Sequence, residues 1–176
     1  MKSASSHPQF VSVLGAGESG VAIARLLAAE GVAVTVLDTA PANRLGERAA
    51  ELGALGIPLL TGPDALLVPE GTGLAVLSPG IDPASAQVGA FINARVPLTG
   101  ELEMAFQRCC CPVVAITGTN GKTTTTQLVE AMFNGAGVRT QACGNIGPAF
   151  SSHVSMSDSL SVMTVEVSSF QLETID

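Results

Sequence analysis

One local device occurs twice in this chain, and it constrains the fold more than any other feature. It is a short Val/Ile/Leu run, then a glycine-bearing loop, then a helical stretch. The first copy is Phe10-Val11-Ser12-Val13-Leu14, then Gly15-Ala16-Gly17-Glu18-Ser19-Gly20, then a helix over 21–29 with Ile23, Leu26 and Leu27 at core-facing spacing. The second is the apolar run 112–117, read as a buried strand, then the loop 118–121, then a helix over 122–133. Short apolar strands alternating with helices build parallel sheets covered on both faces. Two such openings predict two α/β units, with a boundary near Cys109 to Pro112.

Between the openings, 32–37 reads as a second strand closing at Asp38. A weaker helix–strand unit follows over 49–53 and 57–60, then strands at 74–77 and 96–98 and a short helix over 101–108. Beyond the second loop, 138–142 and 160–167 are two further strands. The 47% hydrophobic and 13% charged content of the 176 residues is that of a core-forming globular sequence. With no Trp, no Tyr and six Phe, the core must be aliphatic, and stacking on bases is nearly unavailable.

A net charge of −7 argues against a nucleic-acid binder, because eight Lys and Arg among fifteen acids make no basic stripe. Bound phosphate must then be held locally by backbone N–H groups and a lysine. No apolar run approaches the ~18 residues of a membrane span. The polar start, which includes His7, is not a secretory leader. Cys109, Cys110, Cys111 and Cys143 lack the spacing of a metal site and are expected as reduced cytoplasmic thiols in or beside strands.

Gly15 to Gly20 fits G-x-G-x-x-G between a strand and a helix, the Rossmann-like arrangement. The glycines allow a tight turn and close backbone approach, and the helix start offers free N–H donors to a phosphate. Asp38, 18 residues past Gly20, stands where an acid can accept from a ribose or base. This motif alone leaves open a nicotinamide or flavin dinucleotide, another nucleotide, or no ligand.

Thr117-Gly118-Thr119-Asn120-Gly121-Lys122-Thr123-Thr124 is the stronger signal. A strict P-loop has glycine where this chain has Ile116, yet the working parts are present. Backbone N–H groups of the loop can cradle phosphates, Lys122 can reach the β and γ oxygens, and the Thr123 hydroxyl can ligate Mg²⁺. Glu166 lies near the end of an apolar run, where a buried carboxylate needs a partner. A Mg²⁺ shared with Thr123 would supply one; a surface acid on an edge strand is the alternative.

Taken together, these residues resemble the Mur ligase family, whose ATP loop reads Gly-Thr-Asn-Gly-Lys followed by Ser or Thr. Asn120, where the alanine-adding branch has His, agrees with the D-glutamate-adding branch. So do Gly144-Asn145-Ile146-Gly147, the run Glu166-Val167-Ser168-Ser169-Phe170-Gln171-Leu172-Glu173, and Ser78-Pro79-Gly80-Ile81. The resemblance implies a Rossmann-like UDP-substrate domain over 1–110 and the start of a P-loop-type ATP-binding domain over 111–176. It implies that Gly17, Glu18 and Ser19 face the diphosphate, that Asp38 and Thr39 hold the uracil end, and that Gly80 and Asn145 complete that site. Gly118, Thr119, Asn120, Gly121, Lys122, Thr123 and Thr124 would hold ATP, and Thr123 with Glu166 the Mg²⁺; Lys122, Thr123 and Glu166 are the expected catalytic group.

The implied reaction is ATP-dependent joining of D-glutamate to UDP-N-acetylmuramoyl-L-alanine through an acyl phosphate, in peptidoglycan synthesis. It implies a cytoplasmic monomeric enzyme with small-molecule partners and neither nucleic acid nor membrane. Family members also have a longer central domain, with a second-metal histidine and a carbamylated lysine, and a C-terminal domain. Neither His7 nor His153 matches that histidine. The resemblance therefore implies a second domain cut through its sheet, a missing third domain, and no activity from these 176 residues alone. Readings as a nucleotide-binding module without catalysis, or as a dinucleotide-dependent oxidoreductase, leave part of the pattern unused.

Overall fold

The computed structural model describes residues 10–145 and 147–175; the polar start 1–9 with His7, Ile146 of the second glycine turn, and Asp176 lie outside the described residues. Strands β1 (Phe10–Leu14), β2 (Ala33–Asp38), β3 (Leu59–Thr61), β4 (Leu74–Leu77) and β5 (Leu98–Gly100) form one parallel sheet in the order β3-β2-β1-β4-β5. Alternation along β1 sends Val11 and Val13 to one face and Leu14 to the other. Helices α1 (Glu18–Ala29) and α2 (Ala42–Ala54) cover the first face with Ile23, Leu27, Leu45 and Leu52. Helix α3 (Ala86–Asn93) covers the second with Val88 and Phe91. Chain order reverses between β1 and β4, and the crevice at such a reversal is where doubly wound sheets bind ligands.

Three expectations shift in this sheet. Helix α1 starts at Glu18, so the glycine motif's last residues already belong to it. The expected strand over 96–98 lies two residues later: the Val96 N–H still closes α3 onto the Phe91 carbonyl, and Pro97 has no N–H to pair. Helix α3 was not expected, although Ser85 caps it by accepting from the Val88 N–H at 3.3 Å.

A second parallel sheet contains β6 (Val113–Ile116), β7 (Thr140–Gly144) and β8 (Val162–Glu166) in the order β6-β8-β7. Helix α5 (Lys122–Gly135) follows the second glycine loop, and two single-turn helices, α6 (Phe150–His153) and α7 (Ser169–Leu172), complete this half. Strand β6 is an edge rather than the buried strand expected. It pairs only with β8 among the described residues, leaving Ala115 exposed and its neighbours half-buried. Strand β8, in contrast, is central and buried at every position, so Glu166 is not an edge acid.

The halves share a core. From α4 (Glu101–Phe106), Leu102 and Ala105 pack with Phe150, Met163, Val165 and Val167 of the second half. Each fully buried Val, Leu, Met or Phe of this kind stabilises the junction by roughly 1.5–3 kcal/mol. Arg108 clamps the linker to α1, its Nε donating to both Glu30 carboxylate oxygens at 2.8 Å. Glu101, 2% exposed, accepts the Ser151 N–H at 3.0 Å and so joins α4 to the first turn of α6. Of the cysteines, Cys143 alone is fully buried in a strand. Cys109 and Cys111 are half-buried in the linker and Cys110 is exposed there, all four as free thiols.

Candidate functional site: two cavities sharing one turn

The first glycine loop leaves β1 at the point of chain reversal and opens a cavity of about 390 Å³. Gly15, Gly17, Glu18 and Ser19 line one side, Ser78, Pro79, Gly80 and Ile81 after β4 another, and Gly144, Asn145 and Gly147 reach in from the second half. Packing explains the third glycine of the motif: a Cβ at Gly20 would run into the Gly15 carbonyl oxygen. The loop is therefore wound as tightly as a peptide allows, with the start of α1 aimed into the cavity.

Asp38 also lines this cavity, but its carboxylate is engaged by the protein itself. Oδ2 accepts the Ala16 N–H at 2.7 Å and Oδ1 accepts the Ala40 N–H at 2.8 Å. The residue expected to receive a ribose or base thus first of all holds the glycine loop against the end of β2. Thr39, expected beside it, is exposed and does not line the cavity. Sequence reading missed Arg48, a cavity residue from α2 that carries no motif.

A second cavity, of about 200 Å³, lies at the C-terminal edge of the second sheet. Register sets Glu166 between Ile116 of β6 and Gly144 of β7, so the loop that leaves β6 begins beside the carboxylate. Thr123 and Glu166 line this cavity together, with Thr126, Gln127 and Glu130 from α5. Those α5 positions, spaced three and four apart, share one helix face, a periodicity that could have pointed to Glu130. Glu130 Oε1 accepts the Ala142 N–H at 2.6 Å, fixing α5 to β7.

Lys122 stands apart from that pair. Its Nζ donates to the Gly118 carbonyl at 2.8 Å, bridging the second glycine loop end to end, and it does not line the Thr123–Glu166 cavity. Gly118, Thr119, Asn120, Gly121 and Thr124 are exposed around it. Among the described residues no group of three or more His, Cys, Asp or Glu could hold a metal. An apolar hollow of about 190 Å³, lined by Leu102, Val113, Val165 and Val167, opens on the sheet face opposite Glu166 and offers no phosphate ligands.

The cavities meet at Gly147, which lines both. Asn145 faces the first cavity, while its side-chain Nδ2 donates to Glu166 Oε1 at 3.1 Å. Sequence comparison gives this geometry its relatives. Residues 9–100 match the Mur ligase MurD-like N-terminal domain, and residues 116–174 match the Mur ligase middle domain.

The chain belongs to the Mur ligase family. This Mur ligase chain is 40% identical over 164 residues to the UDP-N-acetylmuramoylalanine–D-glutamate ligase of Pelotomaculum thermopropionicum, and 42% identical over 165 residues to the ligase of the same name from Streptomyces avermitilis. It is 93% and 92% covered in those comparisons and spans 36% and 35% of the two relatives. A solved structure, the UDP-N-acetylmuramate:L-alanyl-gamma-D-glutamyl-meso-diaminopimelate ligase of Neisseria meningitides, superposes with a TM-score of 0.54 at 20% identity. That match covers 89% of this Mur ligase and 52% of the other chain, a likeness of fold. The UDP-N-acetylmuramate-alanine ligase of Thermotoga maritima gives a TM-score of 0.50 at 25% identity, over 74% of this chain and 30% of its own. No helix among the described residues is long and apolar enough to cross a membrane.

Proposed function

We propose that this chain carries the sugar-nucleotide cavity and the ATP loop of a D-glutamate-adding ligase. The enzyme's substrates are UDP-N-acetylmuramoyl-L-alanine, D-glutamate and ATP, and it contributes to peptidoglycan synthesis in the cytoplasm. The observation that carries this reading is Gly147, which lines both cavities, so that a sugar nucleotide in one and a triphosphate in the other would be neighbours. A carboxylate is a poor electrophile, and its activation as an acyl phosphate requires both ligands at one place.

Placement supports these roles. Gly17, Glu18 and Ser19, at the start of α1, present backbone donors to the diphosphate; Gly80 and Asn145 close the cavity around the rest of the substrate. Asp38 maintains the loop, and Thr39, being outside the cavity, contributes at most at its rim. In the second half, backbone N–H groups of Gly118, Thr119, Asn120 and Gly121 take the triphosphate, with Thr124 beside them. Lys122 exchanges the Gly118 carbonyl for a phosphate oxygen.

Thr123 and Glu166 fit a divalent magnesium ion, since both offer hard oxygen donors in one cavity. Few protein ligands are needed, because this ion is held by one or two carboxylates, water and the phosphates themselves. When bound, it would neutralise charge on the transferring phosphoryl group. Asn145 holds Glu166 in place for that task. The carboxylate of the alanine residue then attacks the γ-phosphoryl group, ADP leaves, and the D-glutamate amine displaces phosphate from the acyl phosphate.

Calorimetric titration of the 176-residue chain with UDP-N-acetylmuramoyl-L-alanine tests the first half of this reading. Saturable heat, competed by UDP and not by NADH, is expected. No heat at millimolar ligand, or NADH binding without UDP competition, would sink it.

A further inference from the structure

Helix α2 is broken at Gly46, which sits at φ 45° and ψ −118°, a conformation closed to ordinary L side chains. The break separates the turn around Leu45, buried against the first sheet, from the stretch 47–54. Downstream of it, Arg48 lies on the rim of the first glycine-loop cavity, within the same lining as Gly17, Glu18 and Ser19. A guanidinium there would ordinarily pair with an acid one turn along the helix. Glu51 holds that position but is already bound to Arg25 Nη1 at 3.0 Å. Arg48 has no hydrogen bond or ion pair with any described residue, and among the described residues it is the one cation lining this cavity.

The rest of the cavity's charge is negative, from Glu18 and Asp38. A helix N-terminus and backbone N–H groups offset a fraction of a doubly charged diphosphate, and the two carboxylates work against them. We propose that Arg48, set in the cavity lining just downstream of the break at Gly46, is the counter-charge for the diphosphate of the bound sugar nucleotide. This rests on the sugar-nucleotide reading above and adds to it a residue and a recognised group. Arg48 acts as a planar, paired donor to phosphate oxygens, a geometry lysine reproduces only in charge.

Titrations of the full chain with UDP and with uridine separate the outcomes. Arg48→Ala is expected to weaken UDP about 10-fold while leaving uridine unchanged, and Arg48→Lys to recover part of the loss. Gly46→Ala, where a Cβ meets nothing within 4 Å, keeps the charge but strains the break, and is expected to weaken UDP alone as well. Arg44→Ala, on the same helix but outside the cavity, is expected to bind UDP like the parent chain. Equal UDP affinity for Arg48→Ala and the parent, or equal losses for UDP and uridine, overturns the proposal and leaves the sugar-nucleotide reading standing. If the parent chain binds neither ligand, both fall together.

Discussion

Asn145 is bonded to Glu166 twice: its side-chain Nδ2 donates to Oε1 at 3.1 Å, and its backbone N–H donates to the Glu166 carbonyl at 2.9 Å. Glu166 is 1% exposed, so the side-chain bond satisfies a carboxylate that water scarcely reaches. Asn145 also lines the first cavity, so one residue both faces that cavity and holds Glu166.

Asn145→Ala removes the side-chain bond and keeps the backbone one. We expect a stability loss of about 1–3 kcal/mol, the cost of stripping a donor from a buried acceptor, toward the upper end because Glu166 is a carboxylate. Urea denaturation read by circular dichroism checks this; an unchanged midpoint would mean that Glu166 finds another donor.

Asp38 is expected to be a structural residue before it is a ligand. Asp38→Ala strands the N–H groups of Ala16 and Ala40, costing about 1–3 kcal/mol each if they stay dry and less where water replaces the carboxylate. Asp38→Asn rescues only one of the two bonds, since an amide offers one acceptor oxygen. Stability loss in both variants, larger for alanine, is the expected result of thermal unfolding. Loss of uridine binding with no change in stability would return Asp38 to the purely ligand-binding role.

Glu101 makes the junction sensitive to pH. Burial pushes its carboxyl above the usual carboxylate range, while its bonding to Ser151 pulls the other way. A group whose pKa is raised on folding favours the folded state below its unfolded value and loses that contribution as pH rises through the folded value. Stability of the parent chain relative to Glu101→Gln is therefore expected to fall as pH increases above 4.5, the ordinary value for this carboxyl. Denaturant midpoints for both proteins at several pH values measure the difference. A gap that stays constant, or reverses in sign, contradicts the assignment.

The thiols are expected to react in a fixed order. Burial, then the Cys109 hydrogen bond, raises Cys111 to about 11; burial, then the charge of Glu101, raises Cys143 to about 12. Both remain protonated at pH 8, and a thiol is a poor nucleophile. Cys110 is exposed and should supply the fast phase of a titration with an aromatic disulfide reagent, a phase that Cys110→Ser abolishes. A fast phase that survives this substitution would place the reactive thiol elsewhere.

Local periodicity wrote much of this fold into the chain. The strand–loop–helix openings at Phe10 and Val113 are legible because apolar runs, glycines and helix spacing are properties of neighbouring residues. Thr123 and Glu166 were paired by the logic of parallel sheets, which gathers ligands at C-terminal strand ends, and they do line one cavity. Helices α3, α6 and α7 escaped because they are short, although the reciprocal Ser168–Gln171 cap of α7 was a readable signal.

Strand order was beyond local reading. That β8 lies between β6 and β7 makes Glu166 buried and Val113 to Ile116 an edge, and only long-range pairing decides it. Asp38 turned inward to the Ala16 and Ala40 amides, Lys122 folded back to Gly118, and Arg48 entered the first cavity without any motif. Sequence by itself determined which segments could be strands, cradles and helices, because those depend on nearest neighbours along the chain. Tertiary structure decided which charges met, because a carboxylate's partner is whichever donor the packing of distant elements brings within about 3 Å.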